Sequence, residues 1–362
     1  MRVARLFGID IYIDLSWFII FVLVAWMLSS DVGPLRSVGL SGGDRVALGI
    51  LTAILFFASV LAHELAHSIV ARMRGLPVSR ITLFIFGGIS QIGADFESAG
   101  GEGWIAFVGP LTSAVLSVLF YLGALALGSH SAVGLASGYL AWANGALAIF
   151  NLVPAYPLDG GKVLHSLIWR ATGDRLRATR IAVAIGQTIA FAMVAFGILT
   201  SFTVNFFSGL WTALIGWFLF QAGRMESYQS QLGVALRGHT AGDVATAAPT
   251  PFSPQDSARV ATEALLRSGQ RAAAVVGDGR LAGIVTLSDL ARSHASSADT
   301  PVSALMTPVD KIKSISAASD PMQALALLAQ SGYHQLPIID DGGAVVGFIT
   351  REGLLQRLAL AH

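Results

Sequence analysis

The chain has 362 residues, 54% of them hydrophobic and 12% charged, with a net charge of +1 and no cysteine. That charged fraction is half the roughly 25% of a soluble domain, and with a mean hydropathy of +0.66 it makes the chain an integral membrane protein with length for more than one domain. The near-neutral balance excludes a dedicated nucleic-acid binder, and the lack of cysteine excludes disulfides and thiolate metal ligands, so any metal is held by His, Asp or Glu.

Met1-Arg2-Val3-Ala4-Arg5 is short and basic. The apolar stretch at about 13–28 is long and lacks a small-residue cleavage site, so it reads as a retained first span and not as a signal peptide. Apolar segments long enough to cross a bilayer lie at about 14–29, 46–71, 104–127, 132–153, 180–201 and 207–223, which predicts six spans. Basic residues give their orientation. With the N-terminus cytoplasmic, Arg2, Arg5, Arg72, Arg74, Arg80, Lys162, Arg170, Arg175, Arg177, Arg180 and Arg224 all lie inside, and only Arg36 and Arg45 fall outside. Both termini are therefore expected on the cytoplasmic side.

The second span carries His63-Glu64-Leu65-Ala66-His67. On a helix, HExxH puts two histidines at i and i+4 on one face, where they can share a zinc ion, and the glutamate between them can take a proton from zinc-bound water. Three ionisable groups in a membrane helix are costly and mark a functional site by default. Counting about 1.5 Å per residue back from the inner end near Arg72, His67 lies roughly 8 Å deep and His63 roughly 14 Å deep. Water is thus expected to reach the site from the cytoplasm.

Between spans two and three, Ile81-Thr82-Leu83-Phe84-Ile85-Phe86-Gly87-Gly88-Ile89-Ser90-Gln91-Ile92 reads as two short strands joined by a turn. Its apolarity favours a hairpin dipping into the membrane over an ordinary cytoplasmic one. Gly87, Gly88 and Ile89 could then offer an open strand edge to an extended substrate. Asp95, Glu97 and Glu102 read as solvated residues around the hairpin exit.

Span four carries Asn144 and Asn151, seven residues apart and so near one helix face. Asn151, and less directly Asn144, are candidates for hydrogen-bonding a substrate backbone or a developing oxyanion; helix–helix packing is the alternative. The span ends in Asn151-Leu152-Val153-Pro154-Ala155-Tyr156-Pro157-Leu158-Asp159-Gly160-Gly161, where two prolines break the helix and two glycines allow a tight turn. Asp159 thus sits at the end to which span two carries its histidines, which makes it the best third metal ligand; a solvated Asp in a plain helix-ending turn is the alternative. His130, His165, His239, His294 and His334 are placed outside the site, His165 as a loop or helix-surface residue.

Beyond Arg224, residues 225–237 read as a linker. From about 238 the chain alternates short strands and helices and repeats itself at an offset of about 64. Gly283-Ile284-Val285-Thr286-Leu287-Ser288-Asp289-Leu290 matches Gly347-Phe348-Ile349-Thr350-Arg351-Glu352-Gly353-Leu354. This repeat resembles a tandem pair of CBS domains over 238–362. The resemblance implies an adenine nucleotide (ATP, ADP or AMP) bound between the halves, with Thr286, Asp289 and Thr350 in the binding motif. Gly353 stands where the second half's acid should be, which puts one of the two sites in doubt. A ligand-free structural or dimerising module is the alternative.

Together, the HELAH and NLVPAYPLDGG motifs resemble the site-2 protease family of intramembrane metalloproteases, in the branch that ends in CBS domains. Gly8-Ile9-Asp10-Ile11-Tyr12-Ile13-Asp14-Leu15-Ser16-Trp17 and Gly109-Pro110 also look like family features. The resemblance implies an α-helical polytopic membrane domain at 1–224, with six spans and a small membrane-associated β-hairpin, then the linker and the soluble α/β CBS pair. It also implies a zinc metalloendopeptidase with one Zn2+ per chain held by His63, His67 and Asp159, and Glu64 as general base. The implied substrate is a single-pass membrane protein, such as an anti-sigma factor, a membrane-tethered transcription factor or a signal-peptide remnant. The implied setting is the cell-membrane bilayer, with no nucleic acid and with dimerisation through the CBS pair. An ion transporter or channel with a regulatory CBS pair is the rival reading. It predicts polar residues along several spans, whereas here they cluster at one depth on two elements.

Overall fold

The computed structural model of the protein describes residues 1–362 except 31–38, 86, 93–95, 97, 129, 237, 249, 279, 294–298, 332–334, 341, 351–352 and 354–362. Arg36, Asp95, Glu97, His294, His334 and the Arg351, Glu352 and Leu354 positions of the repeat lie outside the described residues. The chain divides into two compact units, Met1–Ser230 and Gln231–His362.

The first unit opens with β1 (Arg2–Leu6) and β2 (Ile9–Ile13), followed by α1 (Leu15–Ser29), α2 (Gly42–Met73), β3 (Val78–Phe84), β4 (Gly87–Ile92), α3 (Ala99–Ala126), α4 (Ala132–Asn151), α5 (Asp159–Thr172), α6 (Arg175–Thr203) and α7 (Phe206–Ala235), which runs on into the second unit. The predicted hairpin is present as β3 and β4, but it is half of a larger sheet of order β1-β2-β3-β4. The short basic start contributes two strands: β1 and β2 pair antiparallel, and β2 runs parallel to β3 from Asp10↔Arg80 to Ile13↔Leu83. Among the described residues β4 pairs with β3 alone and is the edge of this sheet. Ile9, Ile11, Ile81 and Leu83 are buried on it, all but Ile11 within a core that also holds Val60 and Ala71 of α2 and Ile105 of α3.

Side-chain caps start the helices. Ser41, Ser98 and Ser131 each accept from a backbone N–H three residues on, and so satisfy donors left free in the first turn of α2, α3 and α4. Among the described residues, five helices (α2, α3, α4, α6 and α7) are long and apolar enough to cross a membrane. The sixth expected segment is α1, with 15 residues. At about 22 Å it falls short of a hydrocarbon layer of roughly 30 Å. It packs on α2 through Val24, Ala25, Leu28, Ala53 and Phe57, with Trp17 stacked on Phe21 at 5.0 Å. Phe191, Phe202, Phe207 and Trp217 are more than half exposed on α6 and α7, an outer surface suited to lipid as its solvent. The chain is a multi-pass membrane protein.

The stretch between the fourth and fifth expected spans is not a loop. It holds α5, whose buried residues Asp159, Gly160, Gly161, His165 and Ser166 turn one face towards α3 and α6.

The second unit continues with α8 (Ala241–Val244), β5 (Thr246–Ala247), α9 (Ala258–Ser268), β6 (Ala272–Gly277), β7 (Arg280–Thr286), α10 (Leu287–Ser293), β8 (Thr307–Pro308), β9 (Ile315–Ser316), α11 (Pro321–Ser331), β10 (Gln335–Ile339) and β11 (Val345–Thr350). Two sheets form, β6-β7-β8 and β5-β11-β10-β9. Each half of the repeat lends a short strand to the other: β5 pairs with β11, and β8 pairs with β7. The repeated glycine of the Gly-Ile/Phe-Val/Ile-Thr motif stands at that crossing. A Cβ at Gly283 would press on the Thr307 carbonyl, and one at Gly347 on the Thr246 carbonyl.

Candidate metal centre

His63 and His67 lie one turn apart on α2, only 3% and 7% exposed, and Asp159 opens α5 at 8% exposed. Asp159 Oδ2 sits 3.1 Å from His63 Nε2 and 3.2 Å from His67 Nε2. The three residues offer ligand atoms that all lie within 4.8 Å of one another. The alternative of a solvated Asp in a helix-ending turn is overturned: the turn starts a new helix, and that helix packs its first residue against α2's histidines.

The other ring nitrogens are held by α3. The Ile105 carbonyl can only accept, so His67 Nδ1–H donates to it at 2.6 Å, which leaves Nε2 as the atom facing Asp159. His63 Nδ1 lies 2.9 Å from Ser113 Oγ. Residues 105, 109 and 113 recur every four positions and so share a face. Between the two orienting groups stands Gly109, where a Cβ would overlap His67 Nε2 and Cε1 and press on His63 Nε2. The space in front of both nitrogens therefore exists because this residue has no side chain. Two imidazoles and a carboxylate match the three-ligand set of a catalytic zinc, which keeps a fourth position for water.

Glu64 is half-buried beside this cluster and turned towards β4. Its Oε2 accepts from Ser90 Oγ at 2.8 Å, and its side chain lies against Gly88, where a Cβ would overlap it. Gly87 turns the hairpin with φ +130°, and Ile89 is 52% exposed on the edge strand. Asn144 is fully buried and donates to Ser59 Oγ at 3.3 Å and to Leu140 O at 2.9 Å, which ties α4 to α2 one turn before His63. Asn151 donates to Leu147 O of its own helix at 3.0 Å. Neither asparagine is bonded to the histidines, Glu64 or Asp159.

Two expectations are corrected. His165 is not on a helix surface and Glu102 is not solvated. They are 3% and 5% exposed and face each other across α5 and α3, with His165 Nδ1 2.8 Å from Glu102 Oε2. Thr179 Oγ1 of α6 lies 3.1 Å from His165 Nε2. Ser90, Ser113 and the Ile105 carbonyl were not singled out by sequence; for Ser113 the four-residue step from Gly109 was the available signal. His130 and His239 are exposed.

In the second unit, Asp289 Oδ2 accepts from Thr286 N at 3.0 Å and from Thr286 Oγ1 at 2.6 Å, at the start of α10. Thr350 Oγ1 accepts from Gly353 N at 2.9 Å. The two halves therefore share a threonine-led turn and differ at the position that carries the acid.

Residues 51–137 and 129–196 match the model of Peptidase family M50, and residues 241–296 and 302–360 match that of the CBS domain. A Synechocystis protein named as a candidate zinc metalloprotease is 33% identical over 369 residues, covering 99% of this chain and 95% of that protein. The chain belongs to peptidase family M50. As a family M50 protein it is similar over nearly its whole length to Rip3 of Mycobacterium tuberculosis, also named as a candidate zinc metalloprotease, at 31% identity over 352 residues, 93% of this chain and 88% of that protein. The solved structure of the site-2 protease from Methanocaldococcus jannaschii is 26% identical, covers 63% of this chain and 94% of that chain, and superposes with a TM-score of 0.45. The family match and these relatives make the chain a metalloprotease of family M50 with tandem CBS domains, and the transporter reading is set aside.

Proposed function

We propose that the chain hydrolyses a peptide bond of a membrane-spanning protein within or near the bilayer, with His63, His67 and Asp159 holding zinc and Glu64 moving the proton. The observation that carries this reading is the convergence of two buried imidazole nitrogens and one buried carboxylate from α2 and α5, with Gly109 leaving the space before them open. When bound there, zinc supplies a Lewis acid and lowers the pKa of a water molecule. Glu64 accepts the proton of the attacking water and passes it to the leaving amine. The Ile105 carbonyl and Ser113 hold the imidazoles in the orientation that binding needs.

A transmembrane helix hides its peptide bonds in its own hydrogen bonds, so the substrate must unwind before it is cut. The free edge of β4 offers strand pairing to the unwound segment, with Gly87, Gly88 and Ile89 closest to it. Both termini and the CBS pair lie on the cytoplasmic side, from the bias of basic residues, with α1, packed on α2, making the sixth crossing, and an adenine nucleotide at Thr286 and Asp289 adjusts cleavage. The substrate is a membrane-tethered regulator, an anti-sigma factor, a transcription-factor precursor or a signal-peptide remnant. Comparing membrane fractions of wild type and Glu64→Gln by proteomics tests this reading. A single-pass protein should accumulate in the variant; identical membrane proteomes, or an ion flux that survives Glu64→Gln, would contradict it.

A further inference from the structure

We propose that Ser90 is a positioning residue for Glu64, orienting the base from the strand that receives the substrate. This rests on the reading of Glu64 as the base and of β4 as the receiving edge. Ser68, fully buried on α2 one turn after Glu64, donates to Ser90 Oγ at 3.2 Å. Its hydrogen occupies one lone pair of Ser90, whose own hydrogen goes to Glu64 Oε2 at 2.8 Å. The order of donation is thus Ser68 to Ser90 to Glu64, and it ends on the carboxylate. Two residues earlier on the same side of the strand, Gly88 has no side chain, and the Cγ and Cδ of Glu64 occupy the space a Cβ would need. The carboxylate therefore lies across β4 between a residue that makes room for it and a residue that holds it.

A glutamate side chain has three rotatable bonds, and one that faces solvent visits many rotamers. A hydroxyl donor on one oxygen selects the rotamer and leaves the other oxygen for the proton transfer. Because among the described residues β4 pairs with β3 alone, the strand that bears this hydroxyl is also the one a substrate segment would pair with. Seating of the substrate and orientation of the base then act through the same strand.

The test uses the full-length protein and, as substrate, a fluorescently tagged peptide with the transmembrane sequence of whichever protein accumulates with Glu64→Gln. Ser90→Ala should lower kcat about ten- to a hundredfold, the loss expected for one hydrogen bond to a charged group. KM should stay within about twofold of wild type and zinc content should be unchanged. Ser90→Thr, which keeps the hydroxyl, should restore most of kcat. In a Glu64→Gln background, Ser90→Ala should cause no further loss. A readout independent of activity comes from the absence of native cysteine and the 3.2 Å between the Ser68 and Ser90 hydroxyl oxygens: zinc-free Ser68→Cys/Ser90→Cys protein should form an intramolecular disulfide on mild oxidation. An unchanged kcat in Ser90→Ala, a change confined to KM, or no disulfide would overturn the proposal. Full cleavage by Glu64→Gln would instead overturn the assignment of the base, so the two failures are distinguishable.

Discussion

At the scale of single residues, the centre depends as much on an absent side chain as on those present. Gly109 stands where a Cβ would meet both Nε2 atoms, so Gly109→Ala forces the imidazoles apart or fills the position meant for the metal. The expected outcome is at least about a tenfold weaker zinc affinity, 1.4 kcal/mol or more, in a protein that still folds, measured by competition with a chelator. Wild-type affinity in Gly109→Ala would mean that the imidazoles point elsewhere. The HExxH spacing made His63 and His67 legible in sequence because helical periodicity alone brings them to one face, and Glu64 with them as the motif's acid. Asp159 was legible as a candidate through topology. Ser113, Ile105 and Ser90 were not, because their roles depend on which helix or strand faces α2, and nothing local encodes that.

At the scale of elements, two pieces gained a structure that the chain's apolar runs did not announce. β1 and β2 were hidden at the start of the chain because β3, the strand that ties β2 into the sheet, lies about 70 residues downstream, as in Asp10↔Arg80. α5 was hidden because a search for spans looks for long apolar stretches, and this helix is amphipathic with small residues on its buried face. Its docking is secured by the buried His165–Glu102 pair, six residues from Asp159. Glu102→Ala leaves a buried imidazole without its carboxylate and should cost about 3 kcal/mol, read as a lower unfolding temperature in detergent, whereas Glu102→Gln keeps an acceptor and should cost less. Equal melting of Glu102→Ala and wild type would show that α5 is held by other contacts. The edge strand has its own test. Proline at Ile89 removes a backbone donor from β4 and should reduce cleavage at least about tenfold with zinc retained, measured with the tagged transmembrane peptide; undiminished cleavage would exclude β4 as the receiving edge.

At the scale of the whole molecule, the broad organisation was legible from composition. A chain that is apolar through its first two thirds and then repeats a strand–helix pattern reads as a membrane domain followed by a tandem pair, and the match to family M50 and to two CBS domains accords with that. Among the described residues, five of six expected segments are helices long enough to span; the sixth, expected at 14–29, forms the 15-residue α1 with Asp14 as its cap. Orientation is open to direct measurement, since a cysteine-free chain accepts single reporters. Arg224→Cys should react with an impermeant maleimide only from the cytoplasmic side and His130→Cys only from the other side; the reverse pattern would invert the topology.

The central claim is that the buried imidazole–carboxylate cluster holds zinc and that Glu64 performs the proton transfer. Purified wild-type and Glu64→Gln proteins, assayed side by side for bound zinc and for cleavage of the tagged transmembrane peptide, address it directly. One zinc per chain in both proteins, with cleavage by the wild type alone, is the outcome expected. Cleavage by Glu64→Gln at the wild-type rate, or wild-type protein that cleaves with no zinc bound, would contradict it.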